Sequence, residues 1–168
     1  MKLRDFMIAD QFHKLIQGLG DEAIGLILAV EKELEGVRAP GISWRVDTVE
    51  TGWLRGLAGK RRDFLLIEHG RFREYRVLVC SHPYGTTLHV SWLLMATSVL
   101  VNEVKRAFRL GTEKDARFDI GAEMDVFDMI DLNAFISITR MAVMNAVAHL
   151  TDDEEAEAGD VDGASDPA

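Results

Sequence analysis

The chain has 168 residues, 48% of them apolar, a formal net charge of −9 and one cysteine. That is enough to bury a core without covalent or metal staples, and it excludes an internal disulfide framework. The charge is concentrated at one end: residues 151–168 (TDDEEAEAGDVDGASDPA) hold eight acids and no base, and without those eight the first 150 residues are left with −1.

The acidic end has almost no large side chains and cannot bury enough apolar surface to offset its ordering entropy. It is expected to be a disordered tail on a single domain spanning residues 1–150. Its expected role is solubility, or competition for a basic surface on the same molecule. The first residues lack the pattern of a secretory leader. The longest apolar segment, near 126–150, contains Asp128, Asp131 and Arg140, so no membrane span is expected. With a lone Cys80, this fits a reducing, cytoplasmic setting.

Leu3, Phe6, Met7, Phe12, Leu15, Ile16 and Leu19 recur at helical spacing. Gly18 and Gly20 then interrupt, and Asp21 is placed to cap a second helix, DEAIGLILAVEKELEG, which Gly36, Pro40 and Gly41 stop. The GLG triplet lacks the third glycine and the preceding strand of a phosphate loop. From Ile42 the period becomes two, with Ile42, Trp44 and Val46 on one side, which predicts a strand. The next segment, TGWLRGLAGKRR, reads as a mobile connection in which Trp53 covers the end of the core or serves as a contact residue.

Residues 60–96 read as three antiparallel strands. A two-residue turn at Gly70-Arg71 sets Glu68 opposite Arg73, Leu66 opposite Tyr75 and Phe64 opposite Val77. A turn over Pro83–Thr86 sets Cys80 opposite His89 and Val79 opposite Val90. One face then collects Phe64, Leu66, Tyr75, Val77, Val79, Leu88, Val90, Trp92 and Leu94 as the core side. The other is mixed and carries Arg76, Leu78, Cys80, His82, His89 and Ser91.

Beyond the sheet, 99–110 has helical spacing, 117–120 could add an edge strand, and Asp131 is a candidate cap for DLNAFISITRMAVMNAVAHL. That last helix is apolar on nearly every side, as expected of a helix packed on the sheet or shared with another chain. The fold class is therefore α+β: an antiparallel sheet of about four strands between N-terminal and C-terminal helices, the last helix on one face.

Three sets of residues bear on function. Cys80, His82 and His89 are ligand types that zinc accepts, and Cys80 with His89 could form a thiol–imidazole pair. However, no further ligand pattern accompanies them, a mid-strand cysteine lacks an oxyanion-stabilising turn, and no cofactor motif is present. Between Arg55 and Arg76 there are seven bases (Arg55, Lys60, Arg61, Arg62, Arg71, Arg73, Arg76) and three acids. With Trp53 alongside, they make a candidate contact for nucleic acid or another anionic partner. Finally, the apolar surplus of the last helix points to a homo-oligomer or a protein partner. The expected function is a non-catalytic, self-associating interaction or accessory module. Nucleic-acid binding regulated by the tail, and a small metal- or thiol-dependent enzyme centred on Cys80 and His89, are the alternatives.

Overall fold

The computed structural model describes residues 6–50, 61–97 and 125–159. Among them are five strands and two helices in the order β1 (Phe6–Gln17), α1 (Ala23–Val37), β2 (Ile42–Glu50), β3 (Arg61–His69), β4 (Tyr75–Tyr84), β5 (Thr87–Thr97) and α2 (Val126–Gly159). The strands form one antiparallel-paired sheet of order β1-β5-β4-β3-β2. β2 to β5 are a meander, and α1 carries the chain from one edge of the sheet to the other.

The expected N-terminal helix is instead edge strand β1, which pairs with β5 from Phe6↔Thr97 to Gln17↔Thr87. A bulge between Ile8 and Asp10 explains the misleading spacing. It reverses the phase of the alternation, so Phe6 and Ile8 lie on one face of the sheet while Phe12 and Ile16 lie on the other. Over twelve residues that reversal imitates a helical period.

Both hairpin registers also differ from expectation. Phe72 is 3% exposed and stacks on the His69 ring, centroids 4.8 Å apart. Drawing Phe72 into the core lengthens the β3–β4 connection to Gly70–Glu74, and the pairs become Phe64↔Cys80, Leu66↔Leu78, Ile67↔Val77 and Glu68↔Arg76. This odd shift turns β3 over: Leu65 and Ile67 join the main core, while Phe64 and Leu66 move to the second face. Glu68 accordingly pairs with Arg76 and Arg45 rather than Arg73.

In the next hairpin the turn is the tight Gly85-Thr86, with Gly85 at φ 65°, and the strands run on to Tyr84↔Thr87. Pro83 is tolerated there because β3 pairs with β4 only as far as Cys80, so no ladder bond is lost on that side. This shift is even and keeps the faces, but it sets His82, not Cys80, opposite His89.

α1 and α2 lie side by side on the first face. Leu26, Ile27, Val30 and Leu34 of α1, and Phe135, Val143, Ala146 and Val147 of α2, close over Val77, Val79, Val90 and Trp92. α1 begins at Ala23 with no side-chain cap, so the role expected of Asp21 is not realised. It ends with Arg38 in the left-handed region at φ 50°, two residues beyond Gly36.

α2 starts at Val126, five residues before the expected cap at Asp131. Asp125 Oδ1 accepts from the Asp128 N–H, and Asp131 lies inside the helix. The helix continues to Gly159. The expectations for 99–110, 117–120 and the TGWLRGLAGK segment lie outside the described residues.

Candidate functional site

The amphipathic logic of α2 is unusual because both of its sides are apolar. Toward the body it buries Leu132, Phe135, Thr139, Ala142, Val143, Ala146 and Val147. Trp92 and Thr139, each fully buried, set its rotation: the Trp92 indole N–H donates to Thr139 Oγ1 at 3.3 Å. Arg140 flanks this contact on the β1 side. Its guanidinium lies 5.4 Å from the Phe12 ring centroid and 3.8 Å from Asp10 Oδ2. On the α1 side Asn145 Nδ2 donates to Glu33 Oε2 at 3.1 Å.

With the inward face so fixed, the outward face carries Phe127, Ile130, Ala134, Ser137, Met141, Met144 and Ala148, all exposed. The large members are far from buried, at 73% for Phe127, 57% for Ile130, 55% for Met141 and 57% for Met144. Their separations alternate three and four residues, the heptad seam of a helix that packs along its length against another. On neighbouring α1, Ile24 and Leu28, one turn apart, are exposed as well. Between α2 and the β1 edge, Phe12, His13, Lys14, Arg140, Met144 and Val147 line a cleft of about 320 Å³.

The second face of the sheet divides into two regions. At one end Phe64, Leu66, Leu78 and Met95 are buried together, with Phe6 and Leu93 against them. At the other, three strands bring together the histidines His13 (β1), His89 (β5) and His82 (β4). His82 and His89 are direct cross-strand partners whose Nδ1 atoms are 3.4 Å apart. The His13 ring stacks near that of His89 at 5.6 Å, and His13 Nδ1 is 2.9 Å from Ser91 Oγ.

Cys80 shares this face but lies opposite Ser91. The register expected from the sequence, Cys80 opposite His89, is therefore replaced by His82 opposite His89. No three metal-ligating side chains converge among the described residues. Sequence reasoning missed His13 because it treated its segment as helix. The alternation of Gln11, His13 and Leu15 against Phe12, Lys14 and Ile16, after the bulge, is the signal that places it.

The candidate basic surface is only partly within the described residues. Trp53, Arg55 and Lys60 lie outside them. Arg61 and Arg62 begin β3, paired with Glu50 and Val49. Arg71 is engaged by Asp128 and Asp131 at the start of α2. Arg76 pairs with Glu68 at 2.8 Å and lies over the Phe6 ring at 4.6 Å. Arg71 is thus tied to the start of α2, and Arg76 to β3 and β1.

Comparisons with protein-family models, curated proteins and solved structures find no match to this chain.

Proposed function

We propose that this protein is a non-catalytic interaction or accessory module that self-associates through the outward face of α2. The observation that carries this reading is the exposed seam Phe127, Ile130, Ala134, Ser137, Met141, Met144 and Ala148 on a helix whose opposite side is already committed to the core. Four large apolar side chains aligned in one stripe are costly to leave in water, and covering them contributes on the order of 1.5 kcal/mol or more each. A second protein surface covers such a stripe without disturbing the sheet. Sedimentation equilibrium over micromolar to submillimolar concentrations tests this: the expected mass is a multiple of the chain mass at tens of micromolar, and a monomer throughout contradicts it.

A second reading rests on the His82–His89 pair. Two imidazole nitrogens 3.4 Å apart match the ligand-to-ligand edge of a tetrahedral zinc site, about 3.3 Å for Zn–N bonds near 2.0–2.1 Å. As a metal-dependent function it calls for further ligands beyond this pair. Elemental analysis of the purified protein, with thiol titration of Cys80, decides it; absence of metal and an unreactive thiol remove this reading.

A further inference from the structure

We propose that the cleft between α2 and the β1 edge is a binding site for a small molecule that carries one carboxylate on an apolar body. The cleft lies beside the outward stripe of α2 and shares only Met144 with it. On α2, Arg140, Met144 and Val147 follow at helical spacing and share the flank that faces β1. On β1, Phe12 and Lys14 sit opposite Trp92 and Val90, on the face that the helices cover. Val147 is buried and Phe12 half-buried, which makes the floor apolar, while Met144 and Lys14 are exposed and stand at the rim.

Arg140 gives the cleft its chemistry. Its guanidinium rests against two aromatic rings, 5.4 Å from the Phe12 centroid and 5.9 Å from that of Trp92, which restrains the plane of the fork. Among the described residues it makes no hydrogen bond. Asp10 Oδ2, at 3.8 Å, is beyond hydrogen-bonding distance, and Asp10 Oδ1 already accepts from the Gln11 N–H at 2.8 Å. The N–H donors of the fork are therefore open to a ligand. Lys14, which has no ion pair among the described residues, adds a second positive charge at the rim. The His13 ring stacks near His89 on the other face of the sheet, so Arg140 and Lys14 are the cations of the cleft.

These features select the ligand. Arg140 and Lys14 against Asp10 leave a single net positive charge, which suits a monoanion better than a phosphate dianion. A carboxylate accepts two parallel, charge-assisted N–H bonds from one guanidinium. Phe12, Met144 and Val147 offer apolar surface with no side-chain donor or strong acceptor, so the rest of the ligand is hydrocarbon. The volume of about 320 Å³ equals that of about ten waters, room for about ten non-hydrogen atoms. A space of that size encloses a small molecule and does not admit a partner helix, which is about 10 Å across with its side chains.

Calorimetric titration of the full chain with octanoate, a carboxylate of about the required size, tests this. The expected Kd is below about 1 mM, and octanamide, equal in length but uncharged, is expected to bind about tenfold more weakly. Arg140→Met keeps an apolar stem and removes the fork, and is expected to bind the two compounds alike, with circular dichroism showing that it is folded. The methyl signal of Met144, identified by its loss in Met144→Leu, is expected to shift when octanoate is added to wild type; this reading stands whether or not Arg140→Met folds. Octanoate and octanamide binding equally to wild type would overturn the proposal, because the cleft would then not read charge. A folded Arg140→Met that keeps the full preference, or an unmoved Met144 signal, places the anion elsewhere and overturns it. No binding of octanoate up to about 10 mM leaves the guanidinium to the chain's own carboxylates and also overturns it.

Discussion

The indole N–H of Trp92 donates to Thr139 Oγ1 across 3.3 Å of fully buried interface, and Thr139 Oγ1 in turn lies 3.0 Å from the Ile136 carbonyl oxygen, to which it donates. This link ties the centre of β5 to the middle of α2 and decides which side of the helix faces water. Thr139→Val keeps the shape of the side chain but removes the acceptor, leaving the Trp92 N–H buried without a partner. The expected cost is about 1–3 kcal/mol, read from urea unfolding midpoints at unchanged m-value. An unchanged midpoint would mean that packing alone sets the rotation of α2.

Gly20 fixes how α1 leaves the end of β1. Its N–H donates to the Thr86 carbonyl oxygen at 3.1 Å, and a Cβ there would come within 2.5 Å of the Gly85 carbonyl oxygen. Because the clash is with backbone, side-chain rotation cannot relieve it. Gly20→Ala is expected to destabilise by roughly 1–3 kcal/mol, whereas Gly36→Ala, which meets nothing within 4 Å, is expected to be neutral or mildly stabilising in α1. Thermal unfolding of the two variants side by side checks the contrast.

Tyr75 gives the molecule an alkaline limit. Burial pushes its phenol up to about 12, with the neighbouring Glu74 carboxylate adding to the effect. The folded state holds this proton more tightly than the unfolded chain, so the contribution is complete below pH 10 and is lost as pH rises from about 10 to about 12. Tyr75→Phe is expected to flatten the fall in stability across that window relative to wild type. Denaturant unfolding at several alkaline pH values reads it, and parallel curves for the two proteins would contradict it.

The sequence made the sheet and the last helix legible because both are written in period: Ile42 to Val46 and Leu88 to Trp92 alternate cleanly, and α2 repeats at helical spacing over more than twenty residues. It hid β1 because one bulge near Ala9 switched the alternation halfway along an edge strand. It hid the face of β3 because every residue from Phe64 to Ile67 is apolar, so only the turn could set the phase, and Phe72 reset the turn. The histidine pair followed from the same problem: shifting the Gly85 turn exchanged Cys80 for His82 opposite His89. The stripe on α2 was visible as excess apolarity, but its division into a buried and an outward face required the position of Trp92.

The most direct test of the account is sedimentation velocity on Ser137→Glu beside wild type. Ser137 is exposed, so the charge is expected to leave the fold of one chain within about 0.5 kcal/mol of wild type, while placing a carboxylate in the middle of the outward apolar stripe, where a covering protein surface would have to desolvate it. At tens of micromolar the account predicts that wild type sediments as an oligomer and Ser137→Glu as a folded monomer. A variant that sediments as the wild-type oligomer would contradict the central claim, because the outward face of α2 would then not be the surface through which the protein associates.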